Sequence, residues 1–359
     1  MVKAKKTSVQ PADGRKLMVA LALACAAAVA GCGADGGGGE AGPAGSPATT
    51  AAGPREFTNP VLDGNFADPA VLKVGDTWYA YATGDLVVNL QVARSSDLVH
   101  WERLDDALPE LPEWSALQKG LTWAPEVAET AAGFVLYYTL RDDSSDRQCI
   151  SVAVGKRPEG PFRDTRDRPL VCQARLGGSI DPHRFVDRDG TAYLLWKNDG
   201  NCCGMATELW AQRLDGDGLK LTGQPASLGV RNDAAWEGDL IEAPTLWRDK
   251  GTYYLFYSAN DYGSPSYAVG YATATKVLGP YRDGTGNPIL RSHGSAAGPG
   301  GQAVVTDGHG GLWLAYHAWD SAAVGDEAGG QRSMWLDRLS FQGGRPRIAG
   351  PTDGPQEAP

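Results

Sequence analysis

Three carboxylates in this chain share an unusual setting. Asp68-Pro69, Asp181-Pro182 and Glu242-Ala243-Pro244 each stand at the head of a strand-like run. A strand interior disfavours both an acid and a proline. An isolated Asp-Pro is most simply a turn, with the carboxylate bonded to nearby backbone N–H groups. Three acids in one context ask for another explanation. Carboxylates gathered at one place bind a cation or move protons. Calcium takes about six to eight oxygens, and no EF-hand-like run is present. Proton chemistry needs two carboxylates in opposite roles, one an ionised base and one a protonated acid. A third nearby raises the acid's pKa by like-charge repulsion.

The runs behind these acids repeat. TWYAYAT (77–83), FVLYYTL (134–140), AYLLWKN (192–198), YYLFYSA (253–259) and LWLAYHA (312–318) are aromatic, strand-like and too short for helices. Anchored on Tyr81, Tyr138, Trp196, Tyr257 and Tyr316, they recur every 57 to 61 residues. A glycine precedes each, as in a hairpin turn. The acid-proline element lies upstream in blades one, three and four. The second repeat reads Ala124-Pro125-Glu126, and the fifth Gly298-Pro299-Gly300 without an acid. Such a period holds four short strands with their turns. Five units predict an all-β five-bladed propeller of four-stranded blades, whose first strands line a central channel. An open solenoid or a sandwich fits a few long repeats less well. In a ring, each proline opens a channel strand, where its missing N–H costs no ladder bond. The acids then converge on one solvated mouth.

The whole chain agrees. It has 359 residues, 42% hydrophobic and 21% charged, enough for a sizeable core. A net charge of −10 argues against a nucleic-acid partner. Lys3, Lys5, Lys6, Arg15 and Lys16 precede an apolar run, Leu17 to Ala30, that is short for a membrane span. It ends in VAGC, which resembles a bacterial lipoprotein signal with Cys32 as the lipidated first mature residue. Cleavage after Ala28-Val29-Ala30 is the simpler alternative. The expected organisation is a signal peptide (1–31), a Gly/Ala/Pro-rich tether (32–54), a propeller (55–350) and a flexible C-terminus (351–359). Export permits disulfides. Cys149, Cys172, Cys202 and Cys203 allow three connectivities, of which Cys149–Cys172 with a vicinal Cys202–Cys203 bridge is the expected one.

Several motifs sharpen this. FADPAVLKVGDTWYAYAT, LTWAPEV, SIDPHRFVDRDGTAYLLWK, IEAPTLWRDKGTYYLFYSA and GPGGQAVVTDGHGGLWLAYHAW run through all five repeats, with RPEGPF and ATKVLGPY between them. Over roughly residues 57–345 the chain resembles glycoside hydrolase family 43, whose fold is a five-bladed propeller. The resemblance implies hydrolysis of arabinofuranosyl or xylosyl linkages with inversion, Asp68 as general base, Glu242 as general acid and Asp181 as modulator of the acid's pKa. Inversion leaves room for water, so the two carboxyls are expected about 6.5–9.5 Å apart. The family's fifth blade often carries Gly-x-Gly-His, whose histidine helps hold an axial ion, commonly calcium. Gly301 stands at that position here, so no metal is assigned and no cofactor is expected to be required. Arg332 matches a fifth-blade arginine that contacts sugar in the family. Trp123, His183 and Trp236 are expected to border the pocket, as aromatic platforms and polar walls do in sugar sites. His293, His309 and His317 are read as structural or surface residues.

Two other readings compete with this one. Invertase-like propellers use Asp-Pro-Asn-Gly, Arg-Asp-Pro and Glu-Cys; this chain reads Asp68-Pro69-Ala70-Val71, Ile180-Asp181-Pro182 and Glu242-Ala243. A non-catalytic glycan-binding lipoprotein has no need of a separate acid and base. The expected partner is a carbohydrate, with membrane contact only through the lipid and the protein a monomer.

Overall fold

The computed structural model describes residues 55–359. The expected signal peptide, tether and lipidation site Cys32 lie outside the described residues.

Five antiparallel sheets follow one another along the chain. Their inner two strands are Ala70–Val74 and Thr77–Thr83, Trp123–Thr130 and Gly133–Asp142, Ser179–Val186 and Ala192–Asn198, Ile241–Asp249 and Thr252–Ala259, and Ala296–Thr306 and Leu312–Asp320. Each sheet continues outward through a third strand to a fourth, which in blade 2 is reduced to the bridges Val154–Arg163 and Ile150–Val171. First strands of successive blades touch in order, and the fifth touches the first. The chain is therefore a closed five-bladed propeller.

The repeat anchors are core residues. Tyr81, Tyr138, Trp196, Tyr257 and Tyr316 are fully buried. Each polar tip has a partner: Pro158 O, Asp164, Gln173, Glu237 and Asp337 respectively. That satisfies the rule for buried aromatics with a donor.

Ring closure uses the segment before blade 1. Val61 N donates to Met334 O (2.9 Å) and Phe66 N to Arg332 O (2.8 Å), on the third strand of blade 5. The last residues join this seam, which corrects the expectation of a flexible C-terminus. Gln356–Glu357 pairs with Glu56–Phe57, and Gln356 Nε2 donates to Leu336 O. Unpaired backbone at a blade edge is costly to leave open, and both ends supply partners. Cys149 is bonded to Cys172, and Cys202 to Cys203.

Candidate active site

Each blade opens on a β-bulge. In blade 4, Glu242 faces Ser258 and Thr245 faces Phe256, so Ala243 and Pro244 stand against Tyr257 alone. Blades 2, 3 and 5 show the same shift at Ala124-Pro125, Asp181-Pro182 and Gly301-Gln302. In blade 1, Thr83 N bonds Ala67 O while Ala70 faces Tyr81, which places Asp68-Pro69 in the same bulge. The first bulge residue has positive φ in every blade: Asp68 54°, Ala124 42°, Asp181 56°, Ala243 51° and Gly301 59°. A bulge bends the strand and re-aims a side chain. Asp tolerates this left-handed backbone better than most residues. The proline beside it occupies the unpaired bulge position, so its missing N–H costs nothing. It lies inside the strand span in blades 2, 3 and 4, and not at a strand's first residue.

This register corrects three alignments. Asp68 and Asp181 are ring equivalents, but Glu242 sits one residue earlier, beside Ala243. The residues opposite the bulges are Ala82, Tyr138, Trp196, Tyr257 and Tyr316, so Tyr81 is one residue out of step with the other anchors; the next residues along are Thr83, Thr139, Lys197, Ser258 and His317. The equivalent of Asp68 in blade 5 is Gly301, not Gly298.

These next residues build a ring of hydrogen bonds between blades. Ala124 N donates to Thr83 Oγ1 (3.0 Å), Asp181 N to Thr139 Oγ1 (3.3 Å), Gly301 N to Ser258 Oγ (3.0 Å) and Asp68 N to His317 Nδ1 (3.1 Å). Lys197 has no acceptor to offer. There Ala243 N donates instead to Asp181 Oδ2 (2.9 Å), which draws the Asp181 carboxylate beneath blade 4.

A cleft of about 750 Å³ lies at this ring, and Asp68, Asp181 and Glu242 all line it. Asp68 Oδ2 accepts Thr83 Oγ1–H at 2.6 Å, and Arg332 Nη1 stands 3.5 Å from Oδ1. Burial pushes the Asp68 pKa up. Arg332's charge and the bond from the Thr83 hydroxyl outweigh it, so Asp68 is held well below the usual carboxylate range. Glu242 accepts Tyr267 O–H on Oε1 (2.7 Å) and Lys197 Nζ on Oε2 (2.9 Å). Lys197 is buried, yet Glu242, Asp181 and Asp199 overcome that burial and keep it charged. Burial, then the charge of Glu242, pushes Asp181 up to about 8. Asp181 therefore holds a proton at neutral pH while Asp68 is ionised.

Of the other expected residues, Trp123, His183 and Arg332 line the cleft. Trp123 Nε1 donates to Gly120 O (2.9 Å), and His183 Nδ1 lies 3.5 Å from Glu126. His183 Nε2 and Arg332 Nε are buried without a partner. Trp236 is a correction. It packs on Tyr257 (ring centroids 5.7 Å apart) and against Gly270, within the core between blades 3 and 4. It lies in a short 3-10 turn, Ala235–Glu237, whose buried Glu237 binds Tyr257. His293 and His309 are exposed. His317 is fully buried against Asp68, a site contact that reading it as a lone structural or surface histidine missed. Lys197 and Tyr267 were missed as well. The residue after the buried aromatic in blades 2 to 5 was the available signal for Lys197 and His317.

The family's axial ion asks for a fit. Among the described residues no group of three or more His, Cys, Asp or Glu is arranged to hold a metal. At Gly301 an added Cβ would stand 2.6 Å from His317 Nδ1, so the imidazole fills that place. His317 Nε2 has no protein partner, but one imidazole nitrogen is not the oxygen-rich set calcium takes. No step is routed through an ion.

Comparison with known proteins agrees with this geometry. The family model "Glycosyl hydrolases family 43" matches residues 57–346. The extracellular endo-α-(1→5)-L-arabinanase 1 of Bacillus subtilis is 28% identical over 71% of this chain and 80% of its own length. The extracellular exo-α-(1→5)-L-arabinofuranosidase ArbA of Cellvibrio japonicus is 30% identical over 71% of this chain and 79% of its own. The crystal structure of a thermostable family-43 glycoside hydrolase superposes with a TM-score of 0.75 at 32% identity, covering 84% of this chain and 99% of that one. A five-bladed ring that brings three carboxylates to one mouth, matched along nearly its whole length, makes this chain a member of glycoside hydrolase family 43.

Proposed function

We propose that the protein is an exported glycosidase that hydrolyses α-L-arabinofuranosyl linkages, with β-xylosyl linkages as its second substrate class. Asp68 is the general base that takes a proton from water. Glu242 is the general acid that protonates the departing glycosidic oxygen. Asp181 keeps a protonated carboxyl beside Glu242 and holds the Glu242 strand through Ala243 N. Displacement by water inverts the anomeric centre. Cofactors are not called for, since proton transfer and charge do the chemistry. Arg332, His183 and Trp123 present donors and an aromatic face to the sugar. Extracellular relatives support export, and acylation of Cys32 would tether the protein to a membrane.

One observation carries the reading. Within a single cleft, Arg332 and the Thr83 hydroxyl hold Asp68 ionised, while burial and the charge of Glu242 push the Asp181 pKa up. A protein that only bound glycans would have no use for that opposition. The test is release of p-nitrophenol from arabinofuranoside and xyloside substrates, and of reducing ends from arabino- and xylo-oligosaccharides. Asp68→Asn and Glu242→Gln should each cost roughly 10²–10⁴-fold in kcat on the oligosaccharides. Binding of those oligosaccharides without hydrolysis by the unaltered protein would establish the non-catalytic alternative.

A further inference from the structure

Asp68 and Glu242 come from different blades, yet one line of contacts joins them. The His317 ring lies almost parallel to that of Tyr267, at 7° with centroids 5.8 Å apart. At one end, His317 Nδ1 accepts the Asp68 N–H (3.1 Å) and touches Oδ1 (3.2 Å). At the other, Tyr267 O–H donates to Glu242 Oε1 (2.7 Å). Both rings are almost wholly withdrawn from solvent. Two adjacent glycines make room for them. A Cβ at Gly300 would stand 2.0 Å from Tyr267 Cε1, and one at Gly301 2.7 Å from Asp68 Oδ1 as well as against His317. Side chains at either position would drive the stack apart.

We propose that His317 and Tyr267 form a positioning strut that sets the base Asp68 and the acid Glu242 relative to each other. Naming those two as base and acid rests on the glycosidase reading above; the strut itself is a matter of contacts. The bulge ring fixes the backbone on which Asp68 stands, but Glu242 lies outside the bulge, one residue before it. Glu242 therefore needs its own tie to the base, and the stacked rings are that tie. A parallel stack resists sliding and tilting because each ring packs on the other's face. Tyr267 keeps its proton, since burial and then Glu242 raise its pKa well above 10, so it stays a donor. Neither ring exchanges a proton with substrate, so both are positioning residues.

Side-chain carboxyl ¹³C NMR titration of the folded protein tests the strut without any turnover. Tyr267→Phe keeps the stack and removes the donor to Glu242, so the Glu242 midpoint should rise. His317→Ala does not alter a group that bonds Glu242. By releasing Tyr267 it should still raise the same midpoint, and adding it to Tyr267→Phe should raise it no further. His317→Gln, which retains an acceptor for Asp68 N–H, should restore part of the shift. Gly301→Ala reaches the same end by forcing His317 aside, and serves if His317→Ala does not fold. In kinetics, each disrupting variant should lower kcat by about tenfold with little change in KM. An unmoved Glu242 midpoint in folded His317→Ala and Gly301→Ala overturns the strut. Absent hydrolysis by the unaltered protein would overturn the glycosidase reading and leave the titration result standing.

Discussion

Lys197 reaches Glu242 Oε2 at 2.9 Å from a side chain fully withdrawn from solvent. A buried cation against a carboxyl favours its ionised form. Its position explains it: Lys197 stands beside the blade-3 bulge, where the other blades carry an acceptor, and the cation offsets the charges of Asp181 and Glu242. Lys197→Met should raise the alkaline limb of the kcat/KM profile by roughly one pH unit, because both carboxylates then bind protons more tightly. It should also cost about 3 kcal/mol of stability by leaving buried acids unpaired. Urea denaturation at pH 7 and a pH–rate profile check both.

Asp181 binds its proton more tightly in the folded protein, at about 8 against an ordinary 3.8. Between those values the folded state holds more protons than the unfolded state, so stability falls as pH rises through the window. Asp181→Asn keeps an oxygen for Ala243 N–H and removes the titration. Its Tm should decline less than that of the unaltered protein between pH 5 and 9. The alkaline limb of its activity should move down, because above about pH 8 Glu242 loses the negative neighbour that Asp181 becomes.

Arg332 stands 3.5 Å from Asp68 Oδ1 and lies over the rings of Tyr262 (4.8 Å) and Trp319 (5.7 Å). Removing it takes away the first of the influences that lower the Asp68 pKa. Arg332→Ala should bring the acidic limb of activity up toward the ordinary carboxylate range, and the proposed contact of Arg332 with the sugar predicts a rise in KM. Arg332→Lys should restore the acidic limb better than KM, since an ammonium supplies charge without the planar fork.

Ala124 holds φ at 42° with no carboxylate to justify it, because the ring demands that backbone in every blade. Ala124→Gly should raise stability by roughly 0.5–1 kcal/mol, the left-handed penalty less the entropy glycine adds to the unfolded chain. Chemical denaturation measures it, and unchanged or lower stability would count against strain at the bulge.

The blades and the three acids were legible because apolar runs and acid-proline pairs recur on one period. The bulge was not legible, since one inserted residue leaves the apolar pattern intact while moving Glu242 out of step with Asp68 and Asp181. Lys197 reads in sequence as the polar end of a strand, and only the ring shows that it is buried against acids. Tyr267 lies outside the repeated motifs. Trp236 was misplaced because closeness in sequence to the Glu242 strand does not survive the turn at Ala235–Glu237, which sends the indole to Gly270.

The most direct test of the account is the anomer first released. Proton NMR during the opening minutes of hydrolysis of an arabino-oligosaccharide reads it before mutarotation. Asp68 activating water opposite Glu242 predicts a first product of inverted configuration. A first product of retained configuration would contradict it, because a carboxylate would then have attacked the sugar itself.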